Sequence, residues 1–374
     1  MPSLARRNLF HDKVRLTVTL TGVVFAVVLI TVQLGLFIGF AATTSNISDN
    51  SHADLWVAAK GLRNFDQPAP FSERKLYQAR ALEGVASAEK YIAQFSRLKR
   101  NDGGEEGVGI IGFNLDAGMG GPWQITAGSL EDLKTADTVM LDEQYLKKLG
   151  ITELGQTVEI NNHRARVVGF TRDVRSFTTN PRVFTSFKNA LNYSRMNEDQ
   201  TSFLLIKAKP GTDLQQLKSN LLAHLEDVEV YTTPEFSRKT QIYWLFSTGA
   251  GIGILIAAAM GLVVGVVIVA QTIYATTIDH IKEFGTLKAM GASNGYIYRV
   301  IIKQAMIAAA IGYALGMLVS YFVVNASKNG GAAIKMPPEM AVAMFFLTFL
   351  MCIGASIVSI NKVTRIDPAM VFKG

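Results

Sequence analysis

The sequence predicts an α-helical integral membrane protein with four transmembrane helices and a large α/β extracytoplasmic domain inserted between helices 1 and 2. Three observations carry this. The 374 residues are 49% hydrophobic and only 18% charged, where soluble domains carry about a quarter charged residues. The excess is segmental: Leu16–Ala42, Ile242–Ala270, Val300–Val324 and Met340–Ile360 hold Lys303 as their sole charge. Each reaches the roughly 20 apolar residues that a helix needs to cross hydrocarbon. The third observation is the placement of Lys and Arg, which favour the cytoplasmic ends of spans. Arg6, Arg7, Lys13 and Arg15 precede the first span, Lys282, Lys288 and Arg299 follow the second, and Lys362, Arg365 and Lys373 follow the fourth. The 325–339 loop offers only Lys328 and Lys335. Both termini and the 278–299 loop are therefore expected in the cytoplasm, and the segment from Thr43 to Gln241 outside it.

Taken in order, residues 1–15 place Leu4, Phe10 and Val14 among basic residues, the pattern of an amphipathic segment on the inner leaflet. The first span, 16–42, is longer than the roughly 7–15-residue core of a cleaved signal peptide, so it is expected to stay as an anchor. Residues 43–241 carry 24 Lys/Arg against 25 Asp/Glu, and the remainder carries 13 against 5. The net charge of +7 is thus an orientation signal, and the clustered basic face of a nucleic-acid binder is not expected. The sole cysteine, Cys352, lies in the fourth span. The outer domain must then hold together by its own core, for which about 200 residues suffice.

Within 43–241, DLWVAA (54–59), EKYIAQFSRL (89–98), GVGIIGFNL (107–115) and SFLLIKA (202–208) read as strands, and SERKLYQARAL (72–82) as a helix. TVMLDEQYLKKLG (138–150) reads as a strand entering a helix that Gly150 caps. QTVEINNHRARVVGF (156–170) is a hairpin about Asn161-Asn162. A helix over 212–226, capped by Thr212, leads to the strand VEVYTT (228–233). Two small α/β lobes are expected, with a boundary that the pattern does not fix. The histidines His11, His52, His163, His224 and His280 are scattered, and no GxSxG elbow occurs. A binding or interaction domain is expected here, with no catalytic residues and no metal ligands.

Residues 242–277 read as the second span, with helix-compatible sequence from Ile242 to Ile278. That is about 55 Å of helix against a hydrocarbon core of about 30 Å, so it should project as a stalk. The polar stretch 278–293, DHIKEFGTLKAMGAS with its preceding isoleucine, follows. Ile278, Ile281, Phe284 and Leu287 recur every three residues, an apolar stripe on a short helix. Gly291 supplies its stop, and Ser293 caps the next helix. Two readings stay open: a helix lying passively in the headgroups, or one inserted into a groove on a cytoplasmic partner. The third span (300–324), the loop 325–339, the fourth span (340–360) and the tail 361–374 complete the chain. Three small-xxx-small pairs, Gly35/Gly39, Gly261/Gly265 and Gly312/Gly316, mark sites of close helix packing, with a contact between two copies of the chain as one reading. No Gly-Lys dipeptide occurs in the chain, so a GxxxxGK[ST] phosphate loop is absent; driven work would need a nucleotide on another polypeptide.

EFGTLKAMGAS with the following YIYRVIIKQAMIAAAIGYALG resembles the coupling segment of the FtsX/MacB superfamily of ABC transporter permeases. The closing NKVTRIDPAMVFKG resembles that superfamily's C-terminal motif, and DNSHADLWVAAKG (49–61) is similar to the DevC-type subgroup of glycolipid exporters. The resemblance implies two copies of the permease working with a cytoplasmic ABC ATPase dimer, which binds the ATP and magnesium; no cofactor is expected in this chain. It implies a coupling helix made by Ile281, Glu283, Phe284, Gly285, Thr286, Lys288, Ala289, Gly291 and Ala292. Phe284 would fill an apolar pocket of the ATPase, Glu283 would meet a basic residue, and Gly285 would allow close backbone approach. It further implies export of lipid, glycolipid or amphiphile from the periplasmic side of a bacterial inner membrane, through a periplasmic adaptor and a TolC-like channel. An FtsX-like regulator of a cell-wall hydrolase and a LolC/E-like lipoprotein-releasing permease are the alternatives.

Overall fold

The apolar runs set the backbone. The structure, a computed structural model, describes residues 13–176, 180–327 and 334–364. The expected inner-leaflet segment falls outside these residues up to position 12, as does the closing motif from position 365. Among the described residues, four helices are long and apolar enough to cross a membrane: Leu16–Asp49, Ala250–Asp279, Asn294–Ser327 and Pro338–Ile357. The chain divides into two units, one of residues 1–39 with 251–374 and one of residues 40–250.

In the second unit the strands are β1 (Leu55–Ala59), β2 (Phe71–Ser72), β3 (Val85–Lys99), β4 (Glu105–Phe113), β5 (Ile125–Ala127) and β6 (Thr138–Asp142). They continue with β7 (Thr157–Ile160), β8 (His163–Thr171), β9 (Arg182–Ser186), β10 (Gln200–Thr201), β11 (Phe203–Ala208) and β12 (Val228–Thr232). One sheet runs β12-β1-β11-β3-β4-β9-β6-β8-β5, and β7 pairs with both β3 and β8. That double pairing closes β3, β4, β9, β6, β8 and β7 into a ring, which leaves no open edge within it. Its interior holds Ile92, Leu98, Ile110, Val139, Val158 and Val183, all buried. The other lobe, β12-β1-β11-β3, is antiparallel throughout.

Alternation along β1 explains why this lobe is buried on both faces. Leu55 and Val57 point to the helices Arg74–Arg80 and Leu214–His224, through Leu76, Ala79, Leu217 and Leu221. Trp56 points the other way, into Phe65, Phe203 and Phe236, with ring centroids 4.9–6.0 Å away. The two expected lobes are present, and the 15-residue β3 belongs to both; a boundary shared inside one strand leaves no linker in the sequence.

Local signals resolve as follows. Gly150 ends its helix at φ 67, and Asn161 and Asn162 both take positive φ in the hairpin turn. The cap of the helix from Leu214 is Asp213, not Thr212: its carboxylate accepts the N–H groups of Gln215 and Gln216, being the residue directly before the first turn. The first helix outruns its apolar run, extending from Lys13 to Asp49. Its polar end is satisfied by the helix Thr233–Ile242. Asp49 accepts from Ser237 at 2.5 Å and from Ser45 at 2.7 Å, and Gln241 donates to Ser45 at 2.8 Å.

The expected unbroken helix from Ile242 to Ile278 is corrected. A π-helical turn over Tyr243–Ser247 ends at Thr248, Gly249 takes φ 78, and a new helix runs Ala250–Asp279. The left-handed backbone at Gly249, open to glycine at no steric cost, interrupts the ladder. The helix beyond it is about 45 Å long, against the expected 55 Å. Trp244, in the π turn, donates its indole N–H to Asp66 at 3.0 Å, and Asp66 is paired with Arg182, both nearly fully buried. The π turn thus carries Trp244 onto a buried ion pair that reaches into β9.

Candidate functional site: a short helix on a glycine-packed bundle

In the membrane unit the first span packs against the second and third through small residues, and the second meets the fourth in the same way. A Cβ placed on Gly265 would lie 2.5 Å from Ala26 Cβ and 2.7 Å from Met351 Sδ, and one on Gly261 would lie 2.9 Å from Leu29. On the third span, a Cβ on Gly312 would meet Val23 at 2.4 Å and one on Gly316 would meet Val27 at 2.7 Å. Rising numbers on the second span meet falling numbers on the first, so those two are antiparallel; the third span runs parallel to the first. Gly35 is pressed by the loop: a Cβ there would meet Ile334 at 2.8 Å and the Lys335 carbonyl at 2.9 Å, while the Lys335 N–H donates to the Gly35 carbonyl at 3.0 Å. Gly39 is also buried. Five of the six glycines thus pack elements of one chain together, which corrects the reading of these pairs as contacts between two copies. Glycine suits this role because in lipid the gain comes from close van der Waals contact, with no water to expel.

At one end of the bundle the second span stops at Asp279, and after His280 a separate helix runs Ile281–Ala289. Its end is a Schellman cap: the Ala292 N–H reaches the Leu287 carbonyl and the Gly291 N–H reaches the Lys288 carbonyl, each at 2.9 Å. Gly291 sits at φ 91, the left-handed position this cap requires. Asn294 then opens the third span's helix, with the Ser293 carbonyl accepting from the Tyr296 N–H.

Which face of the short helix is available follows from its turn of about 100° per residue. Ile281, Phe284, Gly285 and Lys288 share one side, and Lys282, Glu283, Thr286, Ala289 and Met290 share the other. Phe284 is 2% exposed and belongs to the buried cluster that holds Ile273, Ile297 and Ile301; Leu287 packs on its border. Phe284 therefore fills a pocket of this chain's own bundle, which corrects the expectation that it fills a pocket on an ATPase. Gly285 is buried beside it. Ile281, Lys288 and Ala292 are half-buried.

The open side carries Lys282, Glu283, Thr286, Ala289 and Gly291, all exposed, and Met290, 72% exposed. Glu283 lies 3.0 Å from His280 Nδ1, and its carboxylate remains more than half open to solvent. The Thr286 hydroxyl donates to the Lys282 carbonyl at 2.9 Å. Met290 is the residue the sequence reading missed. A three-residue spacing slips about 60° per step against the helix turn, so Met290, three past Leu287, has rotated to the side opposite Ile281. That arithmetic was available in the sequence.

A family profile described as "MacB-like periplasmic core domain" matches residues 16–223, and one described as "FtsX-like permease C-terminal" matches residues 255–368. The macrolide export ATP-binding/permease protein MacB of Escherichia coli is 25% identical over 251 residues, 64% of this chain. The chain spans 39% of that relative's length. An uncharacterized ABC transporter permease of Mycobacterium tuberculosis is 23% identical over 378 residues, 99% of each chain. The crystal structure of the periplasmic region of MacB from Actinobacillus actinomycetemcomitans aligns at 14% identity over 52% of this chain and 94% of that one, with a TM-score of 0.38, a likeness too weak to carry an argument.

Proposed function

The chain belongs to the ABC transporter permeases of the MacB/FtsX type, and on that premise we propose that it is the membrane subunit of an exporter powered by a separate cytoplasmic ATPase. The observation that carries the proposal is the two-sided short helix. One side, through Phe284, is locked into the bundle; the other, from Lys282 to Met290, is open. A helix seated only in headgroups would keep its apolar residues on the lipid side and its charges on the other. Here the open face mixes Met290 with Lys282 and Glu283, the composition of a protein contact, in which an adaptable methionine takes the partner's groove. The anchored side makes the helix a rigid lever, since force on the open face is delivered to the packed core behind it.

In this reading two copies of the chain pair with two ATPase subunits, which bind the ATP and magnesium. Nucleotide-driven closure of the ATPases moves the short helices, and the spans pass that movement to the outer unit. Cargo is lipid, glycolipid or another amphiphile taken from the periplasmic side of the inner membrane, handed to a periplasmic adaptor and an outer channel. The Escherichia coli relative is named as an export protein, which supports the direction of transport. The test is co-purification from membranes. Met290→Asp should reduce recovery of the partner ATPase on the order of tenfold, the consequence of about 1.4 kcal/mol, with membrane insertion unchanged. Undiminished recovery would contradict the assignment of this face.

A further inference from the structure

A lateral cavity of about 450 Å³ opens in the membrane unit, lined by Ile38 of the first span, Tyr321 and Val324 of the third, and Ile334, Lys335 and Met336 of the segment before the fourth. Its wall is mostly apolar, and among its described lining residues Lys335 is the sole charge. The segment 334–337 is not helical, and the Lys335 N–H donates to the Gly35 carbonyl at 3.0 Å. Gly35 stands nineteen residues beyond Leu16, roughly 28 Å along the helix at 1.5 Å per residue, so it lies near the far boundary of a hydrocarbon layer about 30 Å thick. Non-helical backbone at that depth is tolerated where it lines a cavity or is buried in protein. Among the described residues no carboxylate lies within ion-pair distance of the Lys335 ammonium.

We propose that this cavity binds an anionic phospholipid of the outer leaflet, its phosphate at Lys335 and an acyl chain along Ile38, Val324 and Met336. The argument is one of charge and depth. A lone exposed ammonium at headgroup level, set at the mouth of an apolar slot, matches a molecule with a negative head and a hydrocarbon tail. Gly35 is part of the site, because any side chain there would collide with Ile334 and the Lys335 carbonyl and lift the segment away. The inference deepens the export reading by placing a lipid on the chain, and it rests on that reading only for the side of the membrane involved.

Native mass spectrometry of the full chain released from detergent, with phosphatidylglycerol or phosphatidylcholine added at equal concentration, tests it. The unaltered protein should retain phosphatidylglycerol several-fold better; Lys335→Gln should abolish that preference, and Lys335→Arg should keep it. Val324→Trp, which fills the slot, should lower retention of both lipids. Equal retention of the two lipids by the unaltered protein, an unchanged preference in Lys335→Gln, or displacement of the lipid by an equal concentration of inorganic phosphate would overturn the proposal. Retention is read without nucleotide or ATPase, so loss of ATPase coupling in the same preparations would count against the export reading alone.

Discussion

At the residue scale, the direction of one side chain decides what the short helix does. Phe284 and Met290 are both apolar and six positions apart, yet one is sealed in the bundle and the other is 72% exposed. Periodicity shows that a helix has an apolar side; it does not show whether that side meets its own chain or another, which is a tertiary property. Phe284→Asp is therefore expected to disturb the bundle itself, by placing a charge in an apolar core. Its signature is lower yield and a lower melting temperature in detergent, whereas Met290→Asp leaves both unaltered. The glycines carry the same lesson. Gly265 is legible as a packing position, but only the approach of Ala26 and Met351 shows that the packing is internal. Gly265→Val should cost about 1–3 kcal/mol through overpacking, seen as a lower melting temperature of the single chain. A variant that changed only oligomeric state would return this glycine to the contact between copies.

At the element scale, segments with a strong local signal were legible and segments made by long-range pairing were not. The four apolar runs, the Asn161-Asn162 hairpin and the Gly150 and Gly291 stops each need only neighbours in sequence. β5 and β9 escaped notice: β9 has its parallel partner β4 some 70 residues earlier, and β5 is three residues long. The helix Thr233–Ile242 also escaped, its residues left without an element at the end of the outer domain, although Thr232 and Glu235 form a capping box at its start. Burial pushes the Glu235 carboxyl up, but Lys218, the Thr232 N–H and Gln215 bond to it and hold it at about 2, below its ordinary 4.5. A depressed carboxyl stabilises the fold above its unfolded value and loses that contribution as pH falls towards the folded one. Acid titration of stability should therefore show a loss between about 4.5 and 2 that Glu235→Gln lacks. The loss will be small, because Glu235 is 37% exposed and solvent screens its pairing; an identical titration in the variant would exclude the cap as its source.

At the scale of the whole molecule, two tightly built units are joined through the long first helix and the Gly249 break. The membrane unit presents the short helix, and the outer unit carries a closed six-stranded ring and an aromatic-cored sheet. Orientation is the first whole-molecule prediction. A cysteine replacing Glu105 should react with a membrane-impermeant maleimide in intact cells, and one replacing Lys288 should react only after lysis; native Cys352 is buried and gives little background. The reverse pattern would invert the topology. The central claim is that work is done on this chain by a nucleotide-hydrolysing partner through the Lys282–Met290 face. It is tested most directly by ATP hydrolysis in lipid nanodiscs, with this chain alone, the partner ATPase alone, the two together, and the two with Met290→Asp. The account predicts no hydrolysis by the chain alone, stimulation in the complex, and loss of that stimulation in the variant; hydrolysis by the chain alone, or full stimulation by Met290→Asp, would contradict it.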